Sequence, residues 1–220
     1  MSDQPKDFCR LILFRHPQLA SSEEGRAVGA ESAELGHRGQ SQMLEWLEWI
    51  AEVNVDYIAA PSQQHCLDPA TALGAAKGLE VQVDDRLRDQ ELGAWQGRTW
   101  EEIAREDPDR VRDFFFQFGE IQAPEGESLG MAVERFLDWW GEHRTDFARK
   151  TICVVASGGM VSGFAAAMLG MRLSRTTSLQ LPLGSCGVID VFENGSRIQS
   201  WNPFRVFAGA PEPGDTASED

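Results

Sequence analysis

The hydrophobic positions along the chain follow two periods in turn. Leu11, Ile12, Leu13 and Phe14 are consecutive and apolar, the pattern of a central strand buried on both faces. The polar, Gly- and Ala-containing residues 18–33 read as a loop. Over 39–53, Met43, Leu44, Leu47, Ile50 and Ala51 recur at helical spacing. Residues 56–60 read as a second strand stopped by Pro61, the Ala-rich stretch 70–77 as a helix ended by Gly78, and 80–83 as a third strand. A loop carrying Gly93 and Gly97 fills 86–98. Helices are predicted over 99–106, 109–118 and 128–147, the last with Leu129, Val133, Phe136 and Trp140 along one stripe. Residues 151–156 predict a strand, 160–169 a helix, and 187–192 with 197–201 a hairpin turned at Asn194-Gly195. Strands alternating with helices predict an α/β fold. It is a three-layer sandwich, with a mostly parallel central sheet and helices on both faces. One domain is expected over 1–208, and the Pro-, Gly- and acid-rich residues 209–220 read as a disordered tail.

Composition narrows the class of partner. The chain has 220 residues, long enough for a sizeable core, and is 42% hydrophobic and 25% charged. Its formal charge of −15 disfavours nucleic acid and anionic membrane, which are bound by neutralising phosphates. The same field repels any anionic substrate unless a local basic pocket overrides it. The uncharged stretch 152–171 has the length of a membrane span, but its serines and glycines read as a buried strand, a turn and a core helix. No signal peptide is evident in MSDQPKDF, so a cytoplasmic protein is expected. Cys9, Cys66, Cys153 and Cys186 are widely spaced and suggest neither a zinc site nor a disulfide framework. No metal or cofactor is expected.

In parallel sheets, ligands bind beyond the carboxyl ends of the strands. Two such ends carry suggestive residues: Arg15-His16-Pro17 after the first strand, and Ser157-Gly158-Gly159 after 151–156. A guanidinium is a good fork for phosphate oxygens, a neutral imidazole can take a phosphoryl group, and a Gly-rich helix start offers free N–H groups. An isolated Arg-His pair is more often a surface ion pair beside a strand cap.

The wider pattern changes that weighting. Leu35-Gly36-His37-Arg38-Gly39 opens a helix that carries Gln42. Leu87-Arg88-Asp89-Gln90-Glu91-Leu92-Gly93-Ala94-Trp95-Gln96-Gly97 is close to L-R-E-x-x-x-G-x-W-E-G. Gly126-Glu127-Ser128-Leu129 precedes Arg135, and Val154-Val155-Ala156-Ser157-Gly158-Gly159 departs from V-V-S-H-G-G mainly at Ser157. In this order the segments resemble the histidine phosphatase superfamily, phosphoglycerate-mutase-like, from about Cys9 to Trp201.

The resemblance implies a phosphohistidine on His16, a phosphate clamp at Arg15, and a carboxylic acid at Asp89 with Glu91 as the alternative. It also implies a small phosphorylated substrate or inorganic phosphate as ligand, held in part by Gly158 and Gly159. The departures matter. Gln64 stands where the family has a second arginine, Ser157 where it has a second histidine, and Pro17 replaces a glycine. Losing one preorganised donor typically costs ~10²–10³ in rate. His65 could turn inward as a substitute cation or remain an exposed loop residue. The expectation is therefore a metal-independent phosphomonoesterase, weak or unusual in activity. The alternative is a degenerate phosphatase-fold protein that binds a phosphorylated ligand or a protein partner. A mutase fits less well, and a serine hydrolase on Ser157 lacks any histidine downstream.

Overall fold

The computed structural model describes residues 8–117 and 119–203. Its elements are β1 (Cys9–Arg15), α1 (His37–Ala51), β2 (Tyr57–Ala60), α2 (Gln64–Lys77), β3 (Val81–Val83), α3 (Trp100–Glu106), α4 (Pro108–Phe116), α5 (Leu129–His143), β4 (Thr151–Ala156), α6 (Gly158–Met168), β5 (Cys186–Phe192) and β6 (Gly195–Trp201). Short 3-10 turns occupy Ser21–Glu23, Asp85–Leu87, Gly93–Trp95 and Leu173–Leu179. The expected tail, 209–220, and the expected end of α4 at Phe118 lie outside the described residues. No helix among the described residues is long and apolar enough to cross a membrane.

The six strands form one sheet in the order β3-β2-β4-β1-β5-β6. The pairs β1–β4, β2–β4 and β2–β3 are parallel, while β5 is antiparallel to both β1 and β6. Only β5 therefore runs against the rest, and the sheet is mostly parallel as its pattern predicts. Alternation along β1 divides the core into two layers. Leu11 and Leu13 pack with Phe136 and Trp139 of α5 and Phe164 of α6. Ile12 and Phe14 pack on the other face with Trp46 and Ile50 of α1 and Leu73 of α2. A smaller cluster of Leu92, Trp95, Ile103, Val111 and Phe114 lies under α3, α4 and the loop before them.

Helix starts follow side-chain chemistry. Thr99 and Glu102 form a capping box on α3, Asp107 caps α4 ahead of Pro108, and Ser128 caps α5. Helix α2 departs from the sequence expectation. It begins at Gln64, six residues before 70, and carries Pro69 inside it. Proline stops a helix pattern on paper because it lacks an N–H and crowds the preceding turn. This near the N-terminus it removes only the bond to the His65 carbonyl. Helix α6 also starts early, at Gly158 rather than 160, with the Ser157 hydroxyl accepting from the Met160 N–H at 3.5 Å. The Leu173–Leu179 turn had no periodic signal and was not anticipated.

Candidate active site

Strands β1 and β4 are neighbours whose final pair is Arg15 with Ala156. That register sets His16 beside Ser157, and the His16 backbone N–H donates to the Ala156 carbonyl at 3.0 Å. Arg15, His16, Asp89, Ser157, Gly158 and Gly159 line one cavity of about 180 Å³, together with Ser162, Thr176, Thr177 and Gln180.

His16 is 7% exposed. Its Nδ1 lies 2.8 Å from the Pro17 carbonyl, which can only accept, so Nδ1 carries the proton and Nε2 keeps its lone pair. Burial, then the neighbouring His65 and Arg15, push the pKa of His16 down to about 3, while the Pro17 bond opposes them. The imidazole is thus neutral, as a nucleophile must be. Pro17, which lacks the N–H of the family's glycine, contributes the carbonyl that fixes this tautomer.

Arg15 is largely buried, and burial lowers its pKa against the opposing pull of Asp89. A guanidinium stays charged regardless. One arm donates to the Leu181 carbonyl at 2.5 Å, and the buried Nε has no hydrogen-bond partner among the described residues. Gly158 makes room for it, since a Cβ there would stand 2.7 Å from Nε and 2.8 Å from Cζ. The first turn of α6 adds unpaired N–H groups and the positive end of the helix dipole.

Asp89 faces the same space, with an oxygen 3.9 Å from the position of a Cβ on Gly159. Desolvation raises its pKa, opposed by the Ser157 hydroxyl, the Gln90 N–H and Arg15. A carboxyl held toward its protonated form suits a proton donor. Its backbone is pinned on both sides. The Asp89 N–H donates to Gln63 Oε1 at 2.8 Å, and Arg135, paired with Glu127 at 2.8 Å, donates to the Asp89 carbonyl at 3.4 Å. Glu91, the other candidate acid, lies outside the cavity and pairs with Arg88 at 3.6 Å.

Gln64 does not join this group. As the first residue of α2 it is exposed, while its neighbours Gln63 and His65 point inward. Gln63 donates to the carbonyls of Gly29 and Glu31, both at 3.0 Å. His65 is 2% exposed, and its ring stands edge-on to His16, with centroids 4.7 Å apart at 72°. Its Nδ1 accepts from the Ala33 N–H at 3.2 Å, so its proton is on Nε2, the opposite tautomer to His16. Burial pushes its pKa down to about 4, so His65 is neutral and supplies no cation. Residue-by-residue matching could not detect this, because the shift arises from where α2 begins. Thr176, Thr177 and Gln180 were missed for a related reason: the turn that carries them has no pattern.

A second cavity of about 400 Å³ shares Arg15, His16 and Asp89 and extends under residues 18–29. A larger one, about 800 Å³, opens at the other end of the sheet beside Cys9, Trp140 and Phe192. Its one thiol is pushed up to about 12, mainly by burial, and it lies far from the strand ends that carry Arg15 and Ser157. Size does not mark the chemistry here; the convergence of Arg15, His16 and Asp89 does.

The chain and its fold are similar to those of known proteins. The model of the histidine phosphatase superfamily (branch 1) matches residues 11–203. Glucosyl-3-phosphoglycerate phosphatase of Mycolicibacterium vanbaalenii is 30% identical over 200 residues, covering 86% of this chain and 83% of its own. Phosphoserine phosphatase 1 of Hydrogenobacter thermophilus is 26% identical over 193 residues, with 88% and 92% covered. The native mycobacterial glucosyl-3-phosphoglycerate phosphatase superposes with a TM-score of 0.81 at 25% identity, over 89% of this chain and 99% of that one. Its complex with VO3 does so at 0.80 and 25%, with 88% and 99% covered.

Proposed function

Since the chain belongs to the histidine phosphatase superfamily, we propose that it hydrolyses phosphomonoesters through a phosphohistidine on His16. The observation that carries this reading is the state of His16: buried and neutral, its Nδ1–H held by Pro17, its Nε2 lone pair open beside Arg15. Nε2 attacks phosphorus as the bond to the ester oxygen breaks, and Asp89 gives its proton to the departing alcohol. Arg15 and the N–H groups at Gly158 and Gly159 hold the phosphoryl oxygens. Water then attacks the phosphohistidine, Asp89 takes the proton, and inorganic phosphate leaves with His16 restored. No cofactor enters this scheme.

The test is a trapped intermediate. Protein quenched during turnover of a labelled ester should carry phosphate that survives alkali and is lost in acid, and His16→Ala should carry none. Turnover by His16→Ala at the wild-type rate would reject the mechanism. One observation favours a binding protein instead. Among the described residues Arg15 is the only cation lining the inner cavity, and Gln64 faces solvent. On that reading vanadate binds at Arg15 and no ester is cleaved above the His16→Ala control.

A further inference from the structure

If the inner cavity takes the phosphoryl group, the alcohol must lie in the adjoining one, because only Arg15, His16 and Asp89 border both. The shared Asp89 then stands where the bridging oxygen would be. His16, more than nine-tenths buried, has no protein partner for Nε2 among the described residues and borders the outer cavity as well.

The outer walls have a distinct chemistry. Leu19, Leu92 and Trp100 supply an apolar surface, and Glu23, Glu24 and Arg26 supply the charges away from the shared residues. The Arg26 guanidinium is engaged structurally: Nε donates to the Ser22 carbonyl at 2.9 Å and Nη1 to the Gly97 carbonyl at 2.6 Å. Arg15 also borders this cavity but is taken up by the phosphoryl group, so the wall away from it, two carboxylates against one guanidinium, is one charge negative within a chain of formal charge −15. A carboxylate on the alcohol would meet repulsion there, and an ammonium on a short apolar stem would meet attraction.

Resting on the phosphatase reading above, we propose that the preferred substrates are monophosphates of amino alcohols, and that acids carrying a phosphate ester are disfavoured. The 3-10 turn Ser21–Glu23 and Glu24 are then the specificity element.

A matched series tests this: the monophosphates of ethanolamine, 1-propanol and 3-hydroxypropanoate, which differ chiefly in end-group charge. At low salt, kcat/KM should fall in that order, with the ammonium ester ahead of the carboxylate by about tenfold, the effect of one charge at partly screened range. In the Glu23→Gln/Glu24→Gln double variant the ratio of those two constants should move toward one. The ratio is taken within one protein, so a loss of folded material does not alter it. Preference for the carboxylate ester, or a ratio unchanged in the double variant, overturns the substrate class while leaving the phosphatase intact. Failure of all three esters to turn over above His16→Ala rejects the phosphatase reading, and the substrate class with it.

Discussion

Gly158→Ala separates the stability of the fold from the working of its clamp. The added methyl would stand 2.7 Å from Arg15 Nε, and ordinary van der Waals contact begins near 3.4 Å, so the guanidinium must retreat by about 0.7 Å. It cannot pivot freely, because its other arm is tied to the Leu181 carbonyl. A misplacement of roughly 1 Å in a positioning group can cost ~10²-fold, so kcat/KM for p-nitrophenyl phosphate should fall by about 10- to 100-fold. Vanadate inhibition should weaken in parallel, since on the proposed mechanism the same guanidinium holds the anion. Folding should hardly register the change. Gly158 is the first residue of α6, where the added methyl disturbs none of the helix's own hydrogen bonds, so Tm should stay within ~4 °C. Enzyme assays beside a thermal melt decide the matter. Activity within about threefold of wild type at unchanged vanadate inhibition would show that Arg15 is not held where the chemistry needs it.

Other outcomes follow from the buried histidines. His65→Ala removes the acceptor for the Ala33 N–H and the brace against His16, so it should lose ~1–3 kcal/mol of stability together with activity. His65→Asn keeps an acceptor near Nδ1, so it should regain most of the stability and little of the activity; full activity in His65→Asn would assign His65 to packing alone. Stability should also fall on acidification. His16 and His65 titrate at about 3 and about 4 in the fold against 6.5 when unperturbed, so below pH ~6.5 the unfolded chain binds more protons. Their contribution is whole above that pH and is lost as pH drops toward 4; Asp89, raised by burial, works in the opposite sense. Urea unfolding at several pH values should give a shallower slope for His16→Asn/His65→Asn, and an equal slope would refute the linkage.

The sheet, its layers and the strand ends with Arg15, His16 and Ser157 were legible because buried strands are written as apolar runs and their termini as sharp changes of residue type. Asp89 and Glu91 were both candidates in the sequence, and the fold separates them by setting Asp89 in the cavity while Glu91 pairs with Arg88. Gln64 illustrates the limit. A motif fixes order along the chain, but the direction a side chain takes in a helix depends on where the helix begins, and Pro69 concealed that start. Gln63 carried no local signal, and His65 could be read from sequence either as inward or as an exposed loop residue. Their roles depend on Gly29, Glu31 and Ala33, more than thirty residues away in sequence.

The candidate site is assembled from two bodies of unequal cohesion. Arg15, His16 and Ser157 sit at the ends of β1 and β4, adjacent interior strands whose apolar side chains are buried on both faces. The outer wall depends on loops, 3-10 turns and the smaller cluster around Trp95 and Phe114. Proteins open locally from their least-packed parts, so the loop half should exchange its amide hydrogens well before the strand half. On the proposed mechanism, a molecule opened in this way would keep Arg15 and His16 in place yet lack the wall that sorts alcohols. Mild denaturant should therefore erase selectivity among esters before it erases affinity for phosphate.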